Sequence, residues 1–377
     1  MLHPYQYAGN ISALPRYVFG TNQTITYGAT NIQLANENLR WENKKTFNVG
    51  LDAALLQNKL TATVDYFIEN TSNVLTNLPI ALTTGNAGGN PPVNAASLKN
   101  TGIEVSAGYH HATGQLLWNL NLNATSIKNR VVSLGDIGDK NYIQLGDTRT
   151  MSGHPIGEWY LLKTAGIFQT QQQIDNYIGK TGQKLEPWAK PGDVIFVDVD
   201  QDGVINFDKD RTWSGSPWPK LQLGLSWDGT YNKFNLSMQW YGVFGNKLYD
   251  RPLYNLDKLG PNDNQAYRNG IQPWTATSPG NLPRIGIVSP GRPDDGLQNN
   301  SLPQTDRWLE SGSYVRLKIL EIGYTFAKAQ LTRIGFNSAR VYLSGQNLLT
   351  ITKYKGLDPD IVGPNIFERG LDNGQYP

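Results

Sequence analysis

Cysteine is absent from the 377-residue sequence, which excludes disulfide bonds, thiolate metal sites and cysteine nucleophiles within it. The sequence also lacks the run of roughly 18 apolar residues that a transmembrane helix requires. Lys and Arg (33) nearly balance Asp and Glu (31), so the sequence lacks the excess of positive charge that is typical of nucleic-acid binding.

The first residues, MLHPYQYAGNIS, do not follow the basic and then apolar order of a secretory signal peptide. They resemble the interior of a longer protein. Helix-forming runs are few, whereas glycine (39), tyrosine (19) and tryptophan (10) are abundant, and this composition favours an all-β chain. Composition alone leaves both a soluble β-sandwich and a membrane β-barrel open.

Alternation of apolar and polar residues predicts long antiparallel strands. Residues 46–55 place apolar side chains at odd positions, and residues 60–69 place them at even positions after a tight polar turn at 57–59. These segments form a predicted hairpin. The same pattern predicts three further hairpins, over 103–125, 221–240 and 315–349.

The last hairpin contains an irregularity, because the apolar parity switches between Ile319 and Leu320 and thereby predicts a β-bulge there. A further strand over 158–168 and one near the C-terminus bring the expected total to about nine or ten strands. Residues 169–180 predict a short helix within a loop.

Strand length and connection length favour a membrane barrel over a sandwich. Several strands reach about ten residues, the length needed to cross a bilayer at a tilt. Tight turns at 57–59, 113–114 and 231–233 alternate with long connections at 72–101, 128–156, 170–217 and 246–312. Short turns on one side and long loops on the other are typical of outer-membrane barrels. The polar face would then line a wet interior through Asn119, Asn121, Asn123, Asn235, Ser237 and Gln239.

Several motifs carry a more specific resemblance. In chain order they are NENLRWE (36–42), NTGIE (100–104), PGD (191–193), DVDQDG (198–203), GSPWPK (215–220), SYVRLK (313–318), GQNLL (345–349) and KYKGLDPD (353–360). Together they span most of the sequence. They resemble the C-terminal barrel portion of the SusC/RagA-type TonB-dependent transporters of Bacteroidetes.

This resemblance implies an all-β fold, in which residues 1–377 form part of an antiparallel barrel of about 22 strands in the cell outer membrane. It implies TonB-dependent import of oligosaccharides or peptides, together with a SusD-like surface lipoprotein that acts as a lid, and no enzymatic activity. Segments 170–217 and 246–312 become extracellular loops. The plug, the TonB box and the final strand are expected to lie outside this sequence, so the chain alone is expected neither to insert nor to transport.

A candidate calcium loop lies in the first long loop. Its expected ligands are Asp198, Asp200, Asp202, Asn206 and Asp210, because carboxylates at alternate positions can converge on one hard cation. Lys209 occupies the position at which a twelfth-residue carboxylate is expected, and a one-residue offset would bring in Asp210. The alternative is an acidic turn without metal. Any calcium here would be structural.

Loop aromatic residues are candidates for contact with ligand or lid, and packing within the loops is the alternative. The candidates are Trp159, Tyr160, Trp213, Trp274 and Trp308, with Trp188 and Trp218 as further loop tryptophans. Trp118, Trp227 and Trp240 lie on apolar strand faces and are expected to face lipid or the membrane interface. The neighbouring His110 and His111 point to opposite strand faces and form a poor chelate; His3 and His154 are isolated.

Two further functional classes remain open at this point. One is a soluble or surface-anchored β-rich module that binds or hydrolyses carbohydrate, and the other is a structural adhesin. No Ser-His-Asp constellation, phosphate-binding loop or paired acid motif stands out in the sequence.

Overall fold

The computed structural model describes residues 10–12, 16–33, 36–77, 92–135, 141–258, 272–285, 297–327, 332 and 335–374. The strands are β1 (Asn10–Ser12), β2 (Arg16–Phe19), β3 (Thr24–Tyr27), β4 (Thr30–Gln33), β5 (Asn43–Leu55), β6 (Leu60–Asn77), β7 (Pro92–Thr113), β8 (Leu116–Leu134), β9 (Tyr142–Leu145), β10 (Thr148–Met151), β11 (Glu158–Leu162), β12 (Thr164–Ile167), β13 (Val194–Phe196), β14 (Arg211–Gly215), β15 (Leu221–Tyr231), β16 (Phe234–Phe244), β17 (Lys247–Asp250), β18 (Leu309–Ser311), β19 (Tyr314–Thr325), β20 (Arg340–Thr352) and β21 (Leu371–Asp372). The helices are α1 (Gln171–Asp175) and α2 (Arg251–Asp257), and single 3₁₀ turns cover Leu297–Ser301, Asp306–Trp308 and Ile366–Glu368. Within the described ranges, no helix combines the length and apolarity needed to cross a bilayer.

Eight long strands form one antiparallel sheet, which we call the wall. Its strand order is β5, β6, β7, β8, β15, β16, β19, β20, so each strand pairs with its neighbours in chain order along the wall. The strands are 11 to 22 residues long. Tight turns join them at one end, as between Leu55 and Leu60, where Leu56, Gln57 and Asn58 all adopt positive φ. The other ends continue into the long loops.

One row of cross-strand partners shows why the two faces of the wall differ. The apolar row crosses all eight strands through Leu51, Val64, Val105, Ala124, Leu223, Gly242, Val315 and Ile351. The row one residue away, on the opposite face, contains Asp52, Thr63, Ser106, Asn123, Gly224, Tyr241, Arg316 and Thr350. Successive side chains of a strand point to opposite faces, so these rows separate an apolar face from a polar one.

The apolar face of the wall is not covered by other parts of the described chain. Leu51 is 71% exposed and Leu343 is 77% exposed. Leaving apolar surface in water costs about 25 cal/mol per Å², so a face of this extent is stable only against an apolar environment. The wall therefore has the surface of a membrane barrel, as the sequence predicted, and the predicted all-β class is confirmed.

Aromatic residues gather on the apolar face near the tight-turn end. The ring centroids of Tyr109 and Trp118 lie 5.1 Å apart, and those of Phe234 and Tyr324 lie 5.0 Å apart. His111 stacks on Trp118 with a centroid distance of 5.8 Å. Aromatic girdles of this kind mark the membrane–water boundary of outer-membrane barrels. Trp227 and Trp240 also lie on the apolar face, opposite the partners Leu120 and Leu225, respectively.

The buried core lies in the long loops and at the loop ends of the wall strands. The loops build a four-stranded sheet in the order β14, β11, β10, β9, a pair β12–β13 and a three-stranded sheet β18, β17, β21. Between them they bury the largest enclosed side chains of the described residues, which are Trp159, Trp308, Tyr249, Phe168 and Phe196. The long loops are thus folded units with their own hydrophobic packing, as is required of large ordered loops.

Four sequence predictions need correction. The strand predicted over 158–168 is wrong as a wall strand, because it divides into β11 and β12, which belong to two different loop sheets. The division follows from Leu161 and Leu162, consecutive residues that are both buried and so break the alternation. The predicted C-terminal strand is represented by β21, which pairs with β17 in the loops. The expected total of wall strands is therefore too high for the described residues.

The other two corrections concern boundaries. The connections predicted at 72–101 and 128–156 are too long, because β6 continues to Asn77, β7 begins at Pro92 and β8 continues to Leu134. The predicted bulge exists but is centred on Lys318, which both register shifts of β19 skip. The predicted short helix is confirmed as α1, with the Thr170 hydroxyl accepting a hydrogen bond from the Gln173 N–H at the N-cap.

Two neighbouring residues of β8 test the assignment of the faces. Leu122 lies on the apolar face and Asn121 on the polar face, and both are exposed. We expect Leu122→Arg in the complete protein to reduce its amount in the outer membrane strongly, because an arginine facing lipid costs roughly 2–4 kcal/mol near the bilayer centre. Asn121→Arg should be tolerated. Immunodetection in membrane fractions measures both, and equal levels of the two variants would contradict the assignment.

Candidate functional site

The loops above the wall are held together by Asp193, the last residue of the PGD motif. Its side chain is 2% exposed. The carboxylate accepts hydrogen bonds from Arg284 Nε (2.6 Å) and Nη2 (3.2 Å), and from Asn300 Nδ2 (2.8 Å). The backbone N–H of Lys190 also donates to it, at 2.8 Å. A buried charge requires this degree of pairing, so Asp193 connects loop 170–217 to loop 246–312.

The middle residue of the same motif is Gly192, and close packing requires a glycine there. It has a φ of +94°, which favours glycine, and an added Cβ would lie 2.6 Å from Cε3 of Trp274 and 2.7 Å from Cβ of Arg284. Trp274 therefore packs directly against the Gly192 backbone. Trp274, a candidate contact for ligand or lid on sequence grounds, is half-buried in this packing.

The acidic loop brings three of the five predicted metal ligands together. One carboxylate oxygen from each of Asp198, Asp200 and Asp202 lies within 4.8 Å of the others. Gly203, with a φ of +90°, directly follows Asp202 in this turn. Oδ2 of Asp198 accepts a hydrogen bond from the Gly203 N–H at 3.0 Å, and its Oδ1 is buried with no hydrogen-bond partner among the described residues.

The other two predicted ligands serve the loop backbone. Asp210 is fully buried, and its two oxygens accept hydrogen bonds from the N–H groups of Val199 (2.8 Å) and Asn206 (2.6 Å). The side-chain oxygen of Asn206 accepts from the N–H groups of Asp208 (2.9 Å) and Lys209 (3.2 Å). Asp210 lies outside the group of three clustered carboxylates. These bonds fix the shape of the loop whether or not a cation is bound.

Two predicted contact tryptophans are buried in a loop core. Trp159 is 1% exposed and Trp308 is 2% exposed, and they pack in one cluster with Leu161, Tyr249 and Leu253. Their indole N–H groups donate to the carbonyl oxygens of Lys247 and Leu302. Neither ring is accessible to a ligand in this arrangement, and their role here is packing.

Tyr160 and Trp213 lie on the opposite, half-exposed face of the four-stranded loop sheet. The Arg149 guanidinium sits 3.5 Å from the ring centroid of Tyr160 and 3.9 Å from that of Tyr142. The imidazole of His154 stacks on Trp213 with a centroid distance of 3.6 Å, and its Nδ1 lies 2.9 Å from the carboxylate Oε2 of Glu158. One face of the Tyr160 ring is therefore covered by Arg149, and one face of the Trp213 ring is covered by His154. The role of Arg149 was not predicted from sequence, because its partners come from two other strands, β9 and β11.

The polar face of the wall carries a charged cluster near its loop end. Arg316 is 5% exposed and pairs with Asp358 at 2.5 Å and with Asp360 at 3.6 Å. The bulge residue Lys318 reaches Asp360 at 3.4 Å. These side chains line a cavity of about 510 Å³. The sequence predicted a wet polar interior but did not identify these partners, which lie 42 residues apart.

Glu186 is a buried carboxyl group that the sequence analysis also missed. It is 1% exposed, and its Oε1 accepts a hydrogen bond from the Phe196 N–H at 2.7 Å. Its Oε2 has no partner among the described residues. Loss of hydration on burial raises the pKa of Glu186 to about 8, nearby Asp193 adds to this rise, and the bond from Phe196 opposes it. The group is thus neutral at neutral pH.

This pKa predicts a pH-dependent stability of loop 170–217. The folded loop holds the Glu186 proton more tightly than the unfolded chain, whose carboxyl has the ordinary pKa of 4.5. Stability should be highest below pH 4.5, fall as the pH rises to about 8, and then level off. Glu186→Gln should remove this fall.

The measurement is hydrogen exchange of the loop amides in the complete protein, taken as the ratio of variant to wild type at each pH. The ratio cancels the intrinsic pH dependence of exchange. Glu37→Gln, at an exposed acid, is the matched control. A ratio for Glu186→Gln that does not change between pH 5 and pH 8.5 would show that Glu186 is not the titrating group.

Calcium binding by the acidic loop stays a prediction. Calorimetric titration of the complete protein with calcium chloride should show a site that Asp200→Ala weakens, because this carboxylate belongs to the cluster of three. Asp175→Ala removes an exposed carboxylate of the same long loop and should leave binding unchanged. Absence of calcium binding to the wild type would rule out the ion.

Comparison with known proteins agrees with this geometry. Residues 6–348 match the family model described as "TonB dependent receptor-like, beta-barrel". Over 390 residues, the chain is 28% identical to TonB-dependent receptor P3 of Formosa agariphila, covering all of this chain and 36% of that protein. It is 26% identical to TonB-dependent receptor SusC of Bacteroides thetaiotaomicron, covering 96% of this chain and 33% of SusC.

Solved structures share the fold. The RagAB peptide importer in its "closed-closed" state superposes with a TM-score of 0.75 at 22% identity, over 99% of this chain and 37% of the matched chain. The chain thus spans little more than a third of the length of these relatives. TonB-dependent receptor barrels are outer-membrane proteins. On the family match and the two-faced wall together, this chain belongs to the TonB-dependent receptor β-barrel family.

Proposed function

We propose that this chain forms part of the wall and outer loops of an outer-membrane transporter that imports oligosaccharides or peptides. The observation that carries the proposal is the wall itself, with one apolar exposed face and one polar face across eight strands. A polar face that is continuous from the tight turns to the loops suits the lining of a solute pathway. The names of the SusC and RagAB relatives support the same role.

The proposed assembly includes a SusD-like surface lipoprotein above the long loops and TonB on the periplasmic side. The folded loops support the first partner. They bury several tryptophans and hold Asp193 in a network of charged hydrogen bonds, so they present a shaped surface at the end of the wall that faces away from the tight turns. Energy from TonB would enter through parts of the transporter other than the residues described. No catalytic role is proposed for this chain.

The soluble module considered from the sequence is not favoured. Its strands would bury one face against a second sheet, yet the apolar residues Phe47, Val49 and Leu51 are 62%, 57% and 71% exposed. A soluble protein with this surface would associate through it.

Deletion of the complete gene in its native host tests the transport proposal. Growth is measured on neutral oligosaccharides, acidic oligosaccharides and peptides as separate carbon sources. We expect growth on one of these classes to be lost on deletion and restored by the wild-type gene, but not in a host that lacks TonB. Deletion of the gene for the proposed SusD-like lipoprotein should weaken growth on the same class. Unchanged uptake of every class after deletion of the transporter gene would overturn the proposal.

A further inference from the structure

A second cavity lies among the loops, away from the charged cluster of the wall. It is a groove of about 340 Å³. Its lining consists of Lys163, Thr212, Trp213, Ser214, Lys247, Asp306 and Leu309. These residues come from the β11–β12 junction, from β14, from the start of β17 and from the 3₁₀ turn and strand near 306–309. Three separate loop sheets therefore meet at one polar groove, which we call the lysine groove.

The backbone around Lys163 is fixed on both sides. The N–H of Leu162 donates to the Gln304 carbonyl at 2.8 Å, and the Lys163 carbonyl accepts from the Val197 N–H at 3.0 Å. Thr164 donates to Oδ1 of Asp306 through both its N–H (3.0 Å) and its hydroxyl (2.7 Å). The backbone on this side of the groove is already ordered before any ligand binds, which lowers the entropic cost of binding.

Lys247 is placed by a close backbone approach. Gly215 has a φ of +120°, and an added Cβ there would lie 2.9 Å from Cγ of Lys247, so the aliphatic stem of the lysine crosses the glycine. The N–H of Lys247 donates to the Ser216 carbonyl at 2.8 Å. The stem is therefore supported while the side chain as a whole is exposed, which leaves the ammonium group to solvent or a ligand.

The charges of the groove are unbalanced. Among the residues that the structure describes, neither Lys163 nor Lys247 forms an ion pair with a carboxylate. Asp306 is the acid of the lining, and one of its oxygens already accepts two hydrogen bonds from Thr164. Two ammonium groups beside one partly used carboxylate favour an anion, since each can donate charge-assisted hydrogen bonds.

We propose that the lysine groove binds the carboxylate or sulfate group of an acidic oligosaccharide, a substrate class within the transport role proposed above, on which this inference rests. The hydroxyls of Thr212 and Ser214 lie in the same lining and suit the hydroxyl groups of a sugar ring. Trp213 and Leu309 are the apolar side chains of the lining, beside five polar or charged ones, so the groove is suited to a polar ligand.

The test compares matched ligands on the complete transporter in detergent. The probes are a galacturonic-acid trisaccharide, a sulfated galactose trisaccharide, the neutral galactose trisaccharide, and tripeptides with a central glutamate or glutamine. The variants are Lys163→Gln with Lys247→Gln, Lys247→Arg, and the control Lys180→Gln, which removes an exposed lysine of the neighbouring loop. Thermal unfolding of each variant checks that the loops remain folded.

We expect an acidic trisaccharide to bind wild type more tightly than the neutral one, and more weakly as salt is added. The double glutamine variant should lose about a hundredfold of this affinity, since each of the two lost charge-assisted contacts accounts for about a factor of ten. Lys247→Arg, which keeps a positively charged donor, and Lys180→Gln should stay within about twofold of wild type. Carboxylate and sulfate probes identify which oxyanion is preferred.

Equal affinity of wild type for acidic and neutral trisaccharides would overturn the inference, and so would an unchanged affinity in the double variant. Lysine-dependent binding of the glutamate tripeptide alone would also overturn it and assign the groove to peptides. These failures are separate from failure of the transport proposal, because that proposal is tested by gene deletion. Loss of uptake on deletion with unchanged binding by the double variant would leave transport standing and remove only the groove.

Discussion

The constraint on which the structure depends is the register of the antiparallel wall. Side chains alternate between faces with a period of two, so a slip of one residue in any pairing would move a row such as Asp52, Thr63 and Ser106 to the apolar face. The tight turns prevent such slips. Positive φ angles at Leu56, Gln57 and Asn58 close the first hairpin with Leu55 opposite Leu60. The two faces, and hence the membrane and the solute pathway, follow from these local turns.

The bulge at Lys318 shows how the wall tolerates an extra residue. Opposite β16, the partners Leu317 and Ile319 flank Lys318, and opposite β20 the single Lys318 faces Asn347 and Leu348, with Asn347 at a φ of +51°. Apolar parity changes along β19, yet both faces are preserved across the sheet. The displaced lysine reaches the Asp360 carboxylate beside Arg316. The bulge, which the sequence shows as a switch of apolar parity, thus adds the positively charged Lys318 side chain to the charged cluster of the polar face.

The wall could be predicted from sequence and the loops could not, for a physical reason. Alternation is a local property, and each hairpin pairs residues close in sequence, so the hairpins at 46–69 and 221–240 were found from their own residues. The loop contacts join distant residues. Asp193 and Arg284 are 91 positions apart, and the Thr148 hydroxyl donates to the Phe367 carbonyl across 219 positions. The PGD motif was visible, but its partners were not.

Among the described residues, buried side chains pack in the loops and at the loop ends of the wall strands, as with Val74, Leu98 and Val131, so tertiary specificity comes from this part of the chain. A barrel wall is stabilised by lipid on one face and needs no second layer, whereas a loop of tens of residues in water must bury its own side chains. The loops also bury polar groups, since Glu186 and Asp193 are almost fully enclosed. Their hydrogen bonds limit the arrangements that the loops can adopt. The lysine groove depends on this order, because its two ammonium groups come from different loop sheets and share one pocket only while those sheets stay docked.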